Sequence, residues 1–182
     1  MKYACIDVGT NTVLLAVVEK KVQIVDVLDI STITRLGEGL KKNGILSAVA
    51  MERTFLALKR YCEIMKESNV EKSFCVGTAS LREAENAGVF LNEVKERLGI
   101  TINVISEKEE AYYSYLSVKG DGHISTRGVI ITDIGGGSTE IIKGGAGGFD
   151  DFVSLPVGSV KLTEMFIKHD PPVKEEIIFL ES

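Results

Sequence analysis

Two short stretches of this 182-residue chain carry the same kinds of side chain at the same spacing. In IDVGTNTV (6–13) an acid, Asp7, precedes Gly9 and Thr12; in TDIGGGSTE (132–140) Asp133 precedes Gly135 and Ser138. A strand that ends in aspartate and turns through glycine has a chemistry of its own. The turn presents backbone N–H groups that cradle phosphate oxygens, and glycine lets an anion approach with no Cβ in the way. A carboxylate beside that anion orients water or holds a hydrated Mg²⁺. On this reading Gly9, Thr10, Asn11 and Thr12 form one phosphate loop, and Gly135, Gly136, Gly137, Ser138 and Thr139 a second. Asp7 and Asp133 are the metal or water positions, and two such loops facing each other would form a clamp. Plain hairpin turns are the simpler alternative, because glycines punctuate loops everywhere. Hairpin geometry alone, however, does not require an aspartate two positions before each glycine.

A second cluster lies in SEKEEA (106–111). Ser-x-x-Glu is the spacing of a capping box, so Glu109 is expected to fold back onto the Ser106 N–H, which leaves Glu110 to point elsewhere. An acid placed there can deprotonate a water; it can equally be a carboxylate stabilised by a helix N-terminus, which needs no substrate. Arg82, in SLREAEN (80–86), can grip phosphate oxygens bidentately or pair with Glu83 or Glu85. Arg35, in TRLGEGL (34–40), is a weaker candidate of the same type, for an outer phosphate. Glu140 follows the second loop and either helps Asp133 hold Mg²⁺ or faces solvent.

These residues must be positioned by regular elements. KYACIDV, TVLLAVVEK and VQIVDVLDI read as three strands, the first two joined by a Gly-Thr-Asn turn. From Ser47, the spacing of Met51, Phe55, Leu58, Cys62 and Met65 predicts an amphipathic helix. Strand KSFCVG (72–77) follows, then a helix with Leu91, Val94 and Leu98 on one face that stops at Gly99, and strand TINVI (101–105). Strands alternating with helices predict an α/β layer on a mostly parallel sheet. After the polar connector GDGHISTRG (120–128) the scheme restarts with VIITDI, STEIIK and FDDFVSL, then a helix near 159–168. Two domains are therefore expected, 1–124 and 125–182, the second a partial copy of the first.

Composition narrows the classes. With 21 Lys+Arg against 26 Asp+Glu the net charge is −5, so the molecule as a whole supplies no general attraction for a nucleic-acid duplex, and an anionic ligand needs a local site. The longest apolar run, VLLAVV (13–18), is far short of the roughly 20 residues that span a bilayer. No membrane partner and a cytoplasmic location are expected. Cys5, Cys62 and Cys75 lack C-x-x-C spacing and are read as reduced and buried; His123 and His169 are read as solvated surface residues.

Together these motifs resemble those of the exopolyphosphatase and guanosine pentaphosphate phosphatase family, within the actin, heat-shock-protein and sugar-kinase superfamily. The resemblance runs through IDVGTNTV, RLGEGL, VGTASLREAEN, VISEKEEA, DIGGGSTE and SLPVGSVKLTE, in that order along nearly the whole chain. It implies an α/β fold of the ribonuclease-H-like, actin-like ATPase type, a mixed sheet with flanking helices repeated in a second domain. It also implies hydrolysis of terminal phosphate from inorganic polyphosphate or guanosine pentaphosphate, with Mg²⁺. Glu110 matches the general base, and Arg82 and Asn11 are assigned to the reacting phosphate. The chain departs from the family pattern at Ser106-Glu107, where Ser-Gly is usual, adding negative charge near a site for polyanions. It also ends at Ser182, before the family's second domain would be complete, so association, as a homodimer, or disorder past about residue 125 is expected. An ATPase or sugar-kinase activity and a non-catalytic phosphate-binding module are the alternative functions.

Overall fold

The computed structural model describes residues 1–120, 128–145 and 148–181. Most of the connector, the 124/125 boundary expected within it and His123 lie outside the described residues. The chain forms two compact units, Met1–Ile105 and Ser106–Ser182. The division therefore falls earlier than the connector. It does so because the helix that follows Ile105 buries Ala111 and Tyr115 against Ile142 of the second sheet rather than against the first.

In the first unit, β1 (Lys2–Val8), β2 (Thr12–Lys20), β3 (Ile24–Ile33), β4 (Lys72–Gly77) and the two-residue β5 (Asn103–Val104) form one sheet in the order β3-β2-β1-β4-β5. β1 runs antiparallel to β2 and parallel to β4, and β4 parallel to β5. This is the mixed sheet of the ribonuclease-H-like, actin-like fold. Alternation decides its inner face: Ala4, Ile6 and Val8 of β1 and Val13, Leu15 and Val17 of β2 are buried, while their neighbours point the other way.

That inner face is covered by α2 (Ala48–Glu67) and α4 (Ala87–Leu98), while α1 (Leu40–Asn43) and α3 (Ala79–Glu83) are single turns. Ser47 caps α2, its hydroxyl accepting from the Ala50 N–H at 3.1 Å, and Gly99 ends α4 at φ 71°. Phe55, Leu58 and Met65 of the expected stripe are buried, joined by Tyr61, whose hydroxyl donates to the Val13 carbonyl at 3.0 Å; Met51 and Cys62 are only partly covered. Each large apolar side chain buried here contributes about 1.5–3 kcal/mol. Of the three cysteines expected to be buried, one is, while Cys62 is half-buried and Cys5 is not. Cys75 is buried, and burial pushes its thiol up to about 12, but Cys5 is exposed, because it falls on the outward-facing positions of β1.

In the second unit, β6 (Val129–Ile134), β7 (Thr139–Gly145) and β8 (Gly148–Leu155) form an antiparallel sheet in chain order. α5 (Glu107–Gly120) packs on it, and α6 (Ser159–Phe166) and α7 (Lys174–Glu181) follow. Gly144 has a steric reason: a Cβ there would come within 2.3 Å of the Tyr115 ring. α7 had no counterpart in the sequence reading, whereas His169 is exposed as expected and its Nδ1 lies 2.9 Å from the Glu176 carboxylate. Among the described residues no helix is long and apolar enough to cross a membrane.

Candidate active site

The two glycine loops are built alike. In loop 1 the Gly9 N–H donates to the Thr12 carbonyl at 3.0 Å; in loop 2 the Gly135 N–H donates to the Ser138 carbonyl at 2.9 Å. A Cβ at Gly9 would come within 3.0 Å of Thr12 O and one at Gly135 within 3.2 Å of Ser138 O. The flanking strands keep the same register, with Asp7 opposite Leu14 and Asp133 opposite Glu140. Among the described residues the amides of Thr10 and Asn11, at the tip of loop 1, and of Gly136 and Gly137, at the tip of loop 2, donate to no protein acceptor. Unpaired amides at a turn tip are what an anion-binding nest requires.

Each loop is held by a segment that follows its sheet's third strand. Loop 1 carbonyls are used by the turn after β3: Thr34 and Arg35 donate to the Asn11 carbonyl at 3.0 and 2.9 Å, and Gly37 donates to the Thr10 carbonyl at 2.9 Å. Gly37 also lets α3 approach, because a Cβ on it would lie 2.4 Å from Thr10 Cγ2 and 3.5 Å from Ser80 Cβ. Asp7, Gly9, Thr10, Asn11, Thr12 and Arg35 are thus gathered in the first unit, with α3 beside them. On α3, Arg82 donates from one guanidinium nitrogen to the Ile105 carbonyl at 2.9 Å, which anchors the residue just before the α5 N-terminus. Asn86, whose part the sequence reading missed, pairs both ways with Leu46: its Oδ1 accepts the Leu46 N–H at 2.8 Å and its Nδ2 donates to the Leu46 carbonyl at 2.9 Å. Its place in SLREAEN is explained by that clasp.

Loop 2 is held by α6. Ser159 donates to the Gly135 carbonyl and Val160 to the Gly136 carbonyl, both at 3.0 Å. Two of the polar side chains expected at this loop have protein partners. The Thr139 hydroxyl donates to the Val157 carbonyl at 2.7 Å. Glu140 is 1% exposed, and its Oε1 accepts from the Ser154 hydroxyl at 2.9 Å, so the solvent-facing alternative for this residue does not hold. Glu140 faces inward because its cross-strand neighbour Ser154 supplies the hydrogen bond that a buried carboxylate needs.

The capping box is present in full. The Ser106 N–H donates to Glu109 Oε2 at 2.8 Å and the Glu109 N–H to Ser106 Oγ at 3.2 Å. Those bonds from Ser106, the backbone N–H first and the hydroxyl second, hold the Glu109 carboxyl below its ordinary value of 4.5. A lowered folded-state pKa means that the stabilisation is complete above 4.5 and is lost as pH falls through the lower value. The melting temperature should therefore fall as acid is added below pH 4.5, with a component that Glu109→Gln removes. An acid limb unchanged in that variant would sink the assignment.

Four residues after Glu110, hence on the same helix face, stands Ser114, a second residue the sequence reading passed over. Its hydroxyl donates to Asp133 Oδ2 at 2.5 Å. The second unit thus brings Glu110's face of α5 to the end of β6, where loop 2 begins. The i, i+4 spacing was the signal that could have found it. Among the described residues no three His, Cys, Asp or Glu side chains group closely enough to cage a cation. Mg²⁺, which keeps much of its water, needs only one or two carboxylates, and Asp133 and Glu140 form such an oxygen-only pair across the β6–β7 ladder.

The Ppx/GppA phosphatase family model matches residues 14–182. A bifunctional 3-dehydroquinate synthase/phosphatase of Fusobacterium nucleatum is 35% identical over 172 residues, covering 90% of this chain and 26% of that protein. A guanosine-5'-triphosphate,3'-diphosphate pyrophosphatase of Photobacterium profundum is 35% identical over 167 residues, covering 91% and 33%. Among solved structures, the Aquifex aeolicus Ppx/GppA family member superposes with a TM-score of 0.78 at 37% identity, covering 98% of this chain and 58% of that one. An exopolyphosphatase from Cytophaga hutchinsonii gives 0.90 at 26% identity, with 98% and 58% coverage. The chain therefore spans a quarter to a third of the length of these curated relatives and under three fifths of these solved ones. The paired glycine loops, the capped glutamate helix and this agreement in sequence and fold are of one piece: the chain belongs to the Ppx/GppA phosphatase family.

Proposed function

We propose that the chain carries the phosphate-gripping and water-activating elements of a phosphoanhydride hydrolase that removes terminal phosphate from inorganic polyphosphate or guanosine pentaphosphate. The observation that carries this reading is the Ser114–Asp133 hydrogen bond, which sets the Glu110 face of α5 against the strand leading into loop 2. Glu110 accepts a proton from water as the water oxygen bonds to the terminal phosphorus, and the bridging P–O bond breaks, leaving orthophosphate and a chain one phosphate shorter. Each unit supplies its own cradle: in the first the tip amides of Thr10 and Asn11 hold phosphate oxygens, with Asn11 and Arg82 countering phosphate charge, and in the second the tip amides of Gly136 and Gly137 do so with Ser138. Arg35 meets an outer phosphate of the same polyanionic substrate. Asp133 with Glu140, and Asp7 on its own strand, are the carboxylates that would hold hydrated Mg²⁺. That ion supplies Lewis-acid neutralisation of phosphate charge when bound.

Phosphate release from polyphosphate, guanosine pentaphosphate and ATP, each with and without Mg²⁺, tests the reading. Mg²⁺-dependent release from the first or the second, with ATP slower, is expected. Preference for ATP would favour the ATPase or sugar-kinase alternative, and tight binding with no release from any substrate would favour a non-catalytic phosphate-binding module.

A further inference from the structure

Arg53, on α2, belongs to no motif read from the sequence, yet its guanidinium converges on the turn that carries Arg35. Its Nε donates to the Thr34 carbonyl at 2.9 Å, and one terminal nitrogen donates to the Arg35 carbonyl at 3.3 Å and pairs with the Glu38 carboxylate at 2.6 Å. The turn needs holding. Arg35 sits at φ 50°, in the left-handed region that a side chain other than glycine seldom adopts, so surrounding contacts must keep it there. Loop 1 takes the Arg35 N–H through the Asn11 carbonyl, and Arg53 takes the Arg35 carbonyl. The Arg35 peptide is thus pinned from both sides. Its own guanidinium is exposed and, among the described residues, has no hydrogen-bond or ion-pair partner.

The Arg53–Glu38 pair is itself a poor stabiliser. Its side chains are 40% and 49% exposed, and pairs in that setting contribute little. What the three-way contact does supply is geometry. Only a guanidinium has the planar fork to serve two carbonyls and a carboxylate at once; an ammonium keeps the charge without that fork.

We propose that Arg53 is a positioning residue for polyanion recognition: by clamping the Thr34–Glu38 turn against loop 1 it fixes Arg35 in its left-handed conformation, with the guanidinium presented beside the loop to an outer phosphate of a chain-like substrate. This rests on the reading of loop 1 as a phosphate cradle, and it adds a length preference. Orthophosphate fills the loop alone, whereas tripolyphosphate reaches Arg35 as well.

The test compares orthophosphate and tripolyphosphate binding by calorimetry, using the full chain, Arg35→Ala, Arg53→Lys and the double variant. Arg35→Ala and Arg53→Lys should each weaken tripolyphosphate about five- to tenfold and leave orthophosphate unchanged, and the double variant should lose no more than Arg35→Ala alone. Glu38→Gln, which loosens the same fork without touching Arg53, should show a smaller loss that Arg35→Ala also abolishes, and it serves if Arg53→Lys does not fold. Additive losses, equal losses for both anions, or full tripolyphosphate affinity in Arg53→Lys would overturn the proposal. If Arg35→Ala binds tripolyphosphate as the parent does, the positioning role falls while the phosphate-loop reading stands. If the parent chain binds neither anion, both fall.

Discussion

Replacing Glu110 by glutamine in a catalytically competent, complete enzyme is expected to lower turnover by roughly 10²–10⁴-fold, with little change in substrate affinity or melting temperature, while Glu109→Gln stays close to the parent in turnover. The two glutamates are adjacent in sequence and differ only in what their positions on α5 allow. Glu109 is tied to the Ser106 N–H and hydroxyl, both at 2.8 Å, and glutamine can still accept at the third position of a capping box. Glu110 is one helix turn from Ser114, which holds Asp133 at the mouth of loop 2. Glutamine in place of Glu110 keeps size and hydrogen bonding but accepts no proton from water. The loss should therefore appear in kcat and not in KM, measured as phosphate released from the substrate the parent prefers. Equal loss in both variants would dissolve the division of labour between the two acids. Full activity in Glu110→Gln would remove it as the base.

Why one of these roles was legible in sequence and its supports were not follows from the range of the interactions. The capping box, the Asp-x-Gly loops and the α2 stripe are local: the partners lie within a few residues, so spacing alone announces them. β5 and the unit boundary were read less well. TINVI has strand composition over five residues, but only Asn103–Val104 finds a ladder partner on β4. The connector at 120–128 looks like a boundary by composition, yet the compact units divide at Ile105, because the side chains that α5 buries belong to the second sheet. Glu140 was ambiguous for the same reason. Whether a strand carboxylate faces water or a Ser154 hydroxyl depends on a strand 14 residues away. Arg53 is the extreme case: a charged residue on an amphipathic helix reads as solvated surface until the turn it grips, 15–19 residues earlier, is folded against it.

Gly158→Ala is expected to cost about 2–3 kcal/mol and to abolish anion binding at loop 2, although the substitution adds a single methyl group. Backbone conformation is not the cause, because Gly158 has φ −150° and ψ 169°, an extended geometry open to any residue. Space is. A Cβ there would lie 2.5 Å from both the carbonyl carbon and oxygen of Gly136 and 2.7 Å from the Gly137 nitrogen, and these are backbone atoms that cannot rotate away. Gly158 stands at the N-cap of α6, where Ser, Asp or Asn would ordinarily accept from the first free amides. Here those amides go instead to the Gly135 and Gly136 carbonyls, so the helix start and loop 2 satisfy one another and no side-chain cap is needed. Pushing them apart would leave donors and acceptors unpaired on both sides and move the tip amides of Gly136 and Gly137. Gly88→Ala supplies the control, since nothing lies within 4 Å of its added Cβ and the position is helical; it should gain about 0.5 kcal/mol. Chemical denaturation separates the two, and hydrogen exchange at Ser159 and Val160 locates the damage. A Gly158→Ala protein with parental stability and unchanged protection at those two amides would show that loop 2 and α6 do not depend on this contact.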